Sequence, residues 1–303
     1  MSSRTPIGGH LVLAVTPFLD NGELDHDSLR SLVEHLLAGG ADGVIVLGST
    51  GEFFSLDADE CREVVATAVA ACDGTVPVIA GVGAPGTDEA ARRAAVAVDA
   101  GAAAVMVPPP FYAPIFFSTG GGMEQHVREI AAAAGDAEVM LYDGGGGIEI
   151  PIDVTARLAA SVPSVTMVKL TVPQPQKVSA IREATHGQVR VLCGNDALTL
   201  YELALGVEGV AIGVGNIVPR DVTEVVHGYT TGKRESARKR FYDKVLPVAS
   251  IALCSTPEFI QVFKLGLAEM GVIASAHVRS PLKQLDSIRS DEALAALEHA
   301  GVL

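Results

Sequence analysis

Residues 165–172 read VTMVKLTV. Val165, Met167 and Val168 lead directly into Lys169, the first of the seven lysines in the chain. A short apolar run without helical spacing reads as a strand buried on both faces, as in parallel sheets covered by helices. Its last residue is the anomaly. An ammonium held against such a run is costly unless it is paired or neutralised.

Working outward, the same kind of run recurs on both sides: LVLAV at 11–15, GVIVLG at 43–48, VPVIAG at 76–81, AAVMV at 103–107, EVMLY at 138–142, VRVLC at 189–193 and GVAIG at 209–213. With 165–169 these make eight strands, spaced by roughly 20–35 residues as βα units should be. HDSLRSLVEHLLAGG, between the first two, places Leu29, Leu32, Val33, Leu36 and Leu37 on one helical face and ends at Gly39-Gly40. Asp57 and Glu60 form a capping-box pattern ahead of a helix carrying Val64, Val65, Ala68, Val69 and Cys72 inward. Eight buried strands in strict alternation with helices predict a (β/α)8 TIM barrel, with an open doubly wound sheet as runner-up. Beyond residue 220 the patterns are all helical, including EFIQVFKLGLAEMG at 258–271. The expected organisation is a barrel over 1–225 and a helical extension over 226–303, with no Pro/Gly/Ser linker between them.

Composition narrows the function. The 303 residues are 49% hydrophobic and 19% charged, material for a substantial core. A net charge of −14 and a pI near 4.9 oppose nucleic acid and anionic membrane as partners. No stretch is apolar enough over its length to span a bilayer and the N-terminal region lacks a signal-peptide pattern, so a cytoplasmic location is expected. Cys61, Cys72, Cys193 and Cys254 form no C-x-x-C pair and read as small buried hydrophobes, with neither metal site nor disulfide expected.

In a barrel the chemistry gathers at the C-terminal ends of the strands. Lys169 ends strand six, Tyr142 ends strand five, Ser49 and Thr50 follow strand two, and Tyr112 follows strand four in PPPFYAP. Neighbouring strands lie about 4.8 Å apart, so Tyr142 and Lys169 can touch. A desolvated lysine gives up its proton more readily, and the neutral amine attacks a carbonyl to form a Schiff base. The bland alternative is a lysine that snorkels to solvent or sits in a structural ion pair. The turn Gly48-Ser49-Thr50-Gly51 offers hydroxyls and backbone N–H groups that could hold a carboxylate. GVGAPG at 81–86 fits G-x-G-x-x-G, but its setting in a repeating barrel argues against a dinucleotide site. GSTGE is not a G-x-S-x-G elbow, which removes the usual argument for a hydrolase.

Taken together, GSTGEFFSL at 48–56, PPFYAP at 109–114, Tyr142, Lys169, CGNDALTL at 193–200, GVEGVAIGVGN at 206–216 and RSPL at 279–282 resemble the dihydrodipicolinate synthase/N-acetylneuraminate lyase family of class I aldolases. The resemblance implies Lys169 as the Schiff-base lysine, Tyr142 as proton donor and acceptor, and Ser49 with Tyr112 as a relay toward solvent. It implies further that Thr50 and the turn ending at Gly51 bind the substrate carboxylate, with the carbonyl of Ala211 lining the same pocket. Neither metal nor organic cofactor is implied. The partners would be a pyruvate-like 2-oxo acid and an aldehyde, and the assembly a homodimer or homotetramer.

The departures bear on substrate. Where members of the family commonly continue Tyr-Asn-x-Pro, this chain reads YDGGGG from Tyr142 to Gly147. Gly147 matches the place of an arginine that binds the aldehyde's carboxylate in 4-hydroxy-tetrahydrodipicolinate synthase. Leu170 and Thr171 follow Lys169 where an acidic residue is usual, and GEFFSL is similar to the branch containing 5-dehydro-4-deoxyglucarate dehydratase. The leading expectation is therefore an aldolase, lyase or dehydratase acting through an enamine on Lys169. The synthase itself and a catalytically silent oxo-acid-binding barrel are the alternatives. The glycine run predicts a wider or more mobile second-substrate pocket.

Overall fold

The computed structural model describes residues 6–110, 121–254 and 258–303. Eight parallel strands, β1 (Gly9–Leu13), β2 (Gly43–Val46), β3 (Val78–Gly81), β4 (Ala104–Val107), β5 (Glu138–Asp143), β6 (Val165–Leu170), β7 (Arg190–Cys193) and β8 (Gly209–Ile212), pair in sequence order. β1 also pairs with β8, so the sheet closes into a barrel. All eight expected strands are present.

Alternate residues face alternate layers. Leu11, Leu13, Ile45, Ile79, Met106, Met140, Met167 and Leu192 fill the barrel interior, while Val12, Val44, Val46, Val105 and Val168 point outward into the helix layer. Burial on both faces is why the strands read as unbroken apolar runs. Asn216, just after β8, secures the closure: its amide donates to the carbonyls of Leu13 and Gly213, each at 2.7 Å.

The outer ring is α1 (His26–Ala38), α2 (Ala58–Cys72), α3 (Thr87–Asp99), α4 (Gly121–Ala133), α5 (Ile152–Ser161), α6 (Gln176–Ala184), α7 (Thr199–Ala204) and α8 (Pro219–Thr230). α1 buries Leu29, Leu32, Val33 and Leu36 and stops at Gly39, followed by Gly40 at φ +81°. The Asp57–Glu60 capping box opens α2, each side chain bonded to the other's backbone N–H. The GVGAPG glycines serve packing: a Cβ on Gly81 would lie 2.0 Å from the Leu47 carbonyl oxygen, and Gly86 caps α3. Cys61, Cys72 and Cys193 are buried free thiols, while the side chain of Cys254 lies outside the described residues.

After α8 the chain adds α9 (Arg234–Arg240), α10 (Leu246–Cys254), α11 (Phe259–Glu269) and α12 (Ser287–His299). α11 packs on the barrel mouth, where a Cβ on Gly213 would lie 2.8 Å from the Phe263 ring. Among the described residues no helix is long and apolar enough to cross a membrane.

Candidate active site

Lys169 is 1% exposed, so the lysine that closes the VTMVK run does not snorkel to solvent. The register of β5 and β6 sets Tyr142 directly opposite it, and the Lys169 Nζ lies 3.6 Å from the centre of the Tyr142 ring. Nζ also donates to Thr171 Oγ1 at 3.2 Å, which in turn lies 3.4 Å from the Gly194 carbonyl. Thr171 thus supplies a neutral partner where an acidic residue was the expected type.

The Lys169 charge holds the Tyr142 phenol below its ordinary pKa against the opposing effect of burial. Hydrogen bonding with Lys169, Thr171 and Ser49 adds to that shift. A phenol so placed is a competent proton carrier, since it is easier to ionise and already bonded to its exchange partners.

A cavity of about 320 Å³ opens above the lysine, bounded by Ser49, Thr50, Tyr142 and Thr171 on one side and by Asn195, Asp196 and Phe263 on the other. Thr50 is buried and Ser49 half-buried. Gly51 is fixed beneath the turn, its carbonyl accepting from Thr16 Oγ1 at 2.7 Å. Ala211, expected at the pocket, lies fully buried in the interior layer and does not border the cavity; Gly213, the residue after β8, does. Tyr112 falls outside the described residues. Among the described residues no cluster of three or more His, Cys, Asp or Glu is placed to hold a metal ion.

Several contributors escaped the sequence reading. Glu52, the residue after the turn, is wholly buried and ion-paired with Lys264 of α11, itself wholly buried. Burial pulls Lys264 down to about 8, while Glu52 pushes it back. Lys264 also donates to the His277 carbonyl at 2.8 Å, and the Arg279 N–H donates to Glu52 at 3.0 Å. Asp143, the first departure after Tyr142, pairs with buried Lys177 at 2.6 Å and accepts from the Ile150 N–H at 2.9 Å. Asp196 reaches under the β8 end, accepting from the Val214 N–H at 2.7 Å, and burial raises its pKa. The one available signal was a charged residue inside an apolar run, as with Lys264 in FIQVFKLGL.

A buried amine beside a phenol at the C-terminal mouth of a (β/α)8 barrel is the equipment of a class I, Schiff-base lyase. Residues 6–300 match the model of the Dihydrodipicolinate synthetase family. The chain is 32% identical over 292 residues to the 4-hydroxy-tetrahydrodipicolinate synthase of Geobacter metallireducens, covering 96% of this chain and 97% of that one. It superposes on the dihydrodipicolinate synthase of Aquifex aeolicus with a TM-score of 0.90 at 28% identity, over 98% and 99% of the two chains. The chloride-inhibited Acinetobacter baumannii enzyme complexed with pyruvate gives 0.89 at 28% identity, over 98% and 100%. The chain belongs to the dihydrodipicolinate synthetase family, whose members are Schiff-base lyases and synthases acting on pyruvate.

Proposed function

We propose that this protein forms or breaks a bond next to the carbonyl of pyruvate or a longer 2-oxo acid, through an imine on Lys169. The Nζ adds to the C2 carbonyl, and loss of water gives the iminium. That cation accepts the electron pair released at C3, so a proton or a C–C bond leaves C3 and an enamine forms. Tyr142 carries protons at these steps, with Ser49 and Tyr112 as the path to solvent. Thr50 and the turn through Gly51 hold the carboxylate. The observation that carries this reading is a lysine 1% exposed, 3.6 Å from the centre of a phenol ring, at the floor of an open cavity.

A second reading, 4-hydroxy-tetrahydrodipicolinate synthase, is favoured by the activity of the curated relatives at 29–33% identity. Gly147 weighs against it: the position matching the synthase arginine carries no side chain and has φ +79°. A cytoplasmic homodimer or homotetramer accompanies either reading, and light scattering of the purified protein tests the assembly.

Incubation with pyruvate and borohydride, followed by intact-mass analysis and peptide mapping, tests the chemistry. The expected result is a reduced adduct on Lys169 that is absent from Lys169→Ala. A folded protein that is left unmodified by pyruvate and by longer 2-oxo acids would instead favour the silent binding barrel.

A further inference from the structure

Beside the lysine cavity lies a second one of about 410 Å³, within the roughly 300–1,000 Å³ range of small-molecule sites. Ser49 and Tyr142 border both, so an acceptor in the second cavity sits next to the group that would protonate it. Its remaining walls are apolar: Leu47, Phe53, Phe54, Met106 and Pro108, with the backbone of Gly83 and Gly146 between them. Two glycines are required by that packing. A Cβ on Gly83 would lie 3.0 Å from both the Phe53 ring and Pro108, and one on Gly145 would lie 2.8 Å from Pro108 and 3.0 Å from Tyr142.

Among the described residues that line this cavity none is charged. Arg93 reaches the Gly83 carbonyl at 2.9 Å, yet its guanidinium is already bound to Glu89 at 3.1 Å. Phe54 is 43% exposed at this cavity and stacks edge-on against Phe53 at 5.8 Å. A large aromatic left in water at the rim of an apolar cavity is a surface for an apolar ligand.

We infer that the acceptor in this cavity is an uncharged aldehyde with an aromatic or aliphatic substituent, not one bearing a carboxylate. The inference rests on the Schiff-base reading above. The enamine C3 of pyruvate bonds to the aldehyde carbon, the carbonyl π bond opens, and its oxygen takes the proton of the Tyr142 hydroxyl. The iminium re-forms, and water releases a 4-hydroxy-2-oxo acid while restoring the Lys169 amine. Reversed, the same steps cleave such an acid to pyruvate and the aldehyde. A carboxylate in this cavity would lose hydration without gaining a cation from the described lining, which disfavours it.

The test supplies pyruvate with benzaldehyde or with succinate semialdehyde and follows the hydroxy-oxo acid products by mass spectrometry. Borohydride trapping of pyruvate on Lys169 runs alongside. The expected result is trapping, with kcat/KM for benzaldehyde above that for succinate semialdehyde by roughly 100-fold. Phe54→Ala should lower kcat/KM for benzaldehyde roughly tenfold while the pyruvate adduct still forms. Trapping without benzaldehyde turnover, or with the carboxylated aldehyde preferred, overturns this inference and leaves the Schiff-base reading standing. Absence of the Lys169 adduct overturns both.

Discussion

Tyr142→Phe keeps the ring against Lys169 and removes the hydroxyl that Ser49 and Thr171 share. Turnover should fall by about 10²–10⁴-fold, the span of a lost general acid–base, while borohydride still traps pyruvate on Lys169. Equal loss of trapping and turnover would instead assign Tyr142 to building the amine's pocket. A second residue-scale prediction concerns Glu202, wholly buried on α7 beside the Cys193 thiol. Burial pushes its pKa up to about 7, opposed by the Cys193 thiol. The folded protein therefore binds this proton more tightly than the unfolded chain does, and stability falls as pH rises between about 4.5 and 7. Glu202→Gln should recover on the order of 2 kcal/mol at pH 8 and almost nothing at pH 4.5, read from urea melts at the two pH values. An equal effect at both would remove Glu202 as the source.

At the scale of elements, the Glu52–Lys264 pair couples the loop after β2 to α11. Lys264→Met leaves a bare carboxylate in the interior and should cost about 3–5 kcal/mol. Adding Glu52→Gln should restore most of that loss, and KM for pyruvate should rise in the single variant because Thr50 and Gly51 sit on the loosened turn. Additive losses in the double variant would mean the two side chains act independently. This coupling could not be read from the sequence, because FIQVFKLGL reads as an apolar helix with one cation and nothing local points 212 residues upstream to Glu52. By contrast, Lys169 and Tyr142 were legible because each lies one residue from the C-terminal end of its strand, and adjacent strands of a barrel have adjacent ends. Asp143 lay between these cases: visible as a departure, opaque as the partner of Lys177.

For the whole molecule, barrel closure was legible because eight apolar runs buried on both faces have few other arrangements. The two-residue period separates Leu13, Ile45, Met106 and Met167 from their neighbours, but which face turns inward came only from the structure, since both faces are apolar. The tail was foreseen as helical, but its role at the mouth was not, since Phe263 meets Gly213 only in three dimensions. That contact has a consequence for the order in which the protein is made. β1 leaves the ribosome first yet needs β8 as a neighbour, and Glu52 must stay hydrated until residue 264 emerges. Nascent chains stalled before Lys264 should accordingly hold most of their strands but fail to capture pyruvate, and those released with α11 exposed should gain it. Translation, in this protein, supplies the scaffold and its lysine early and the outer wall of the binding cavity late.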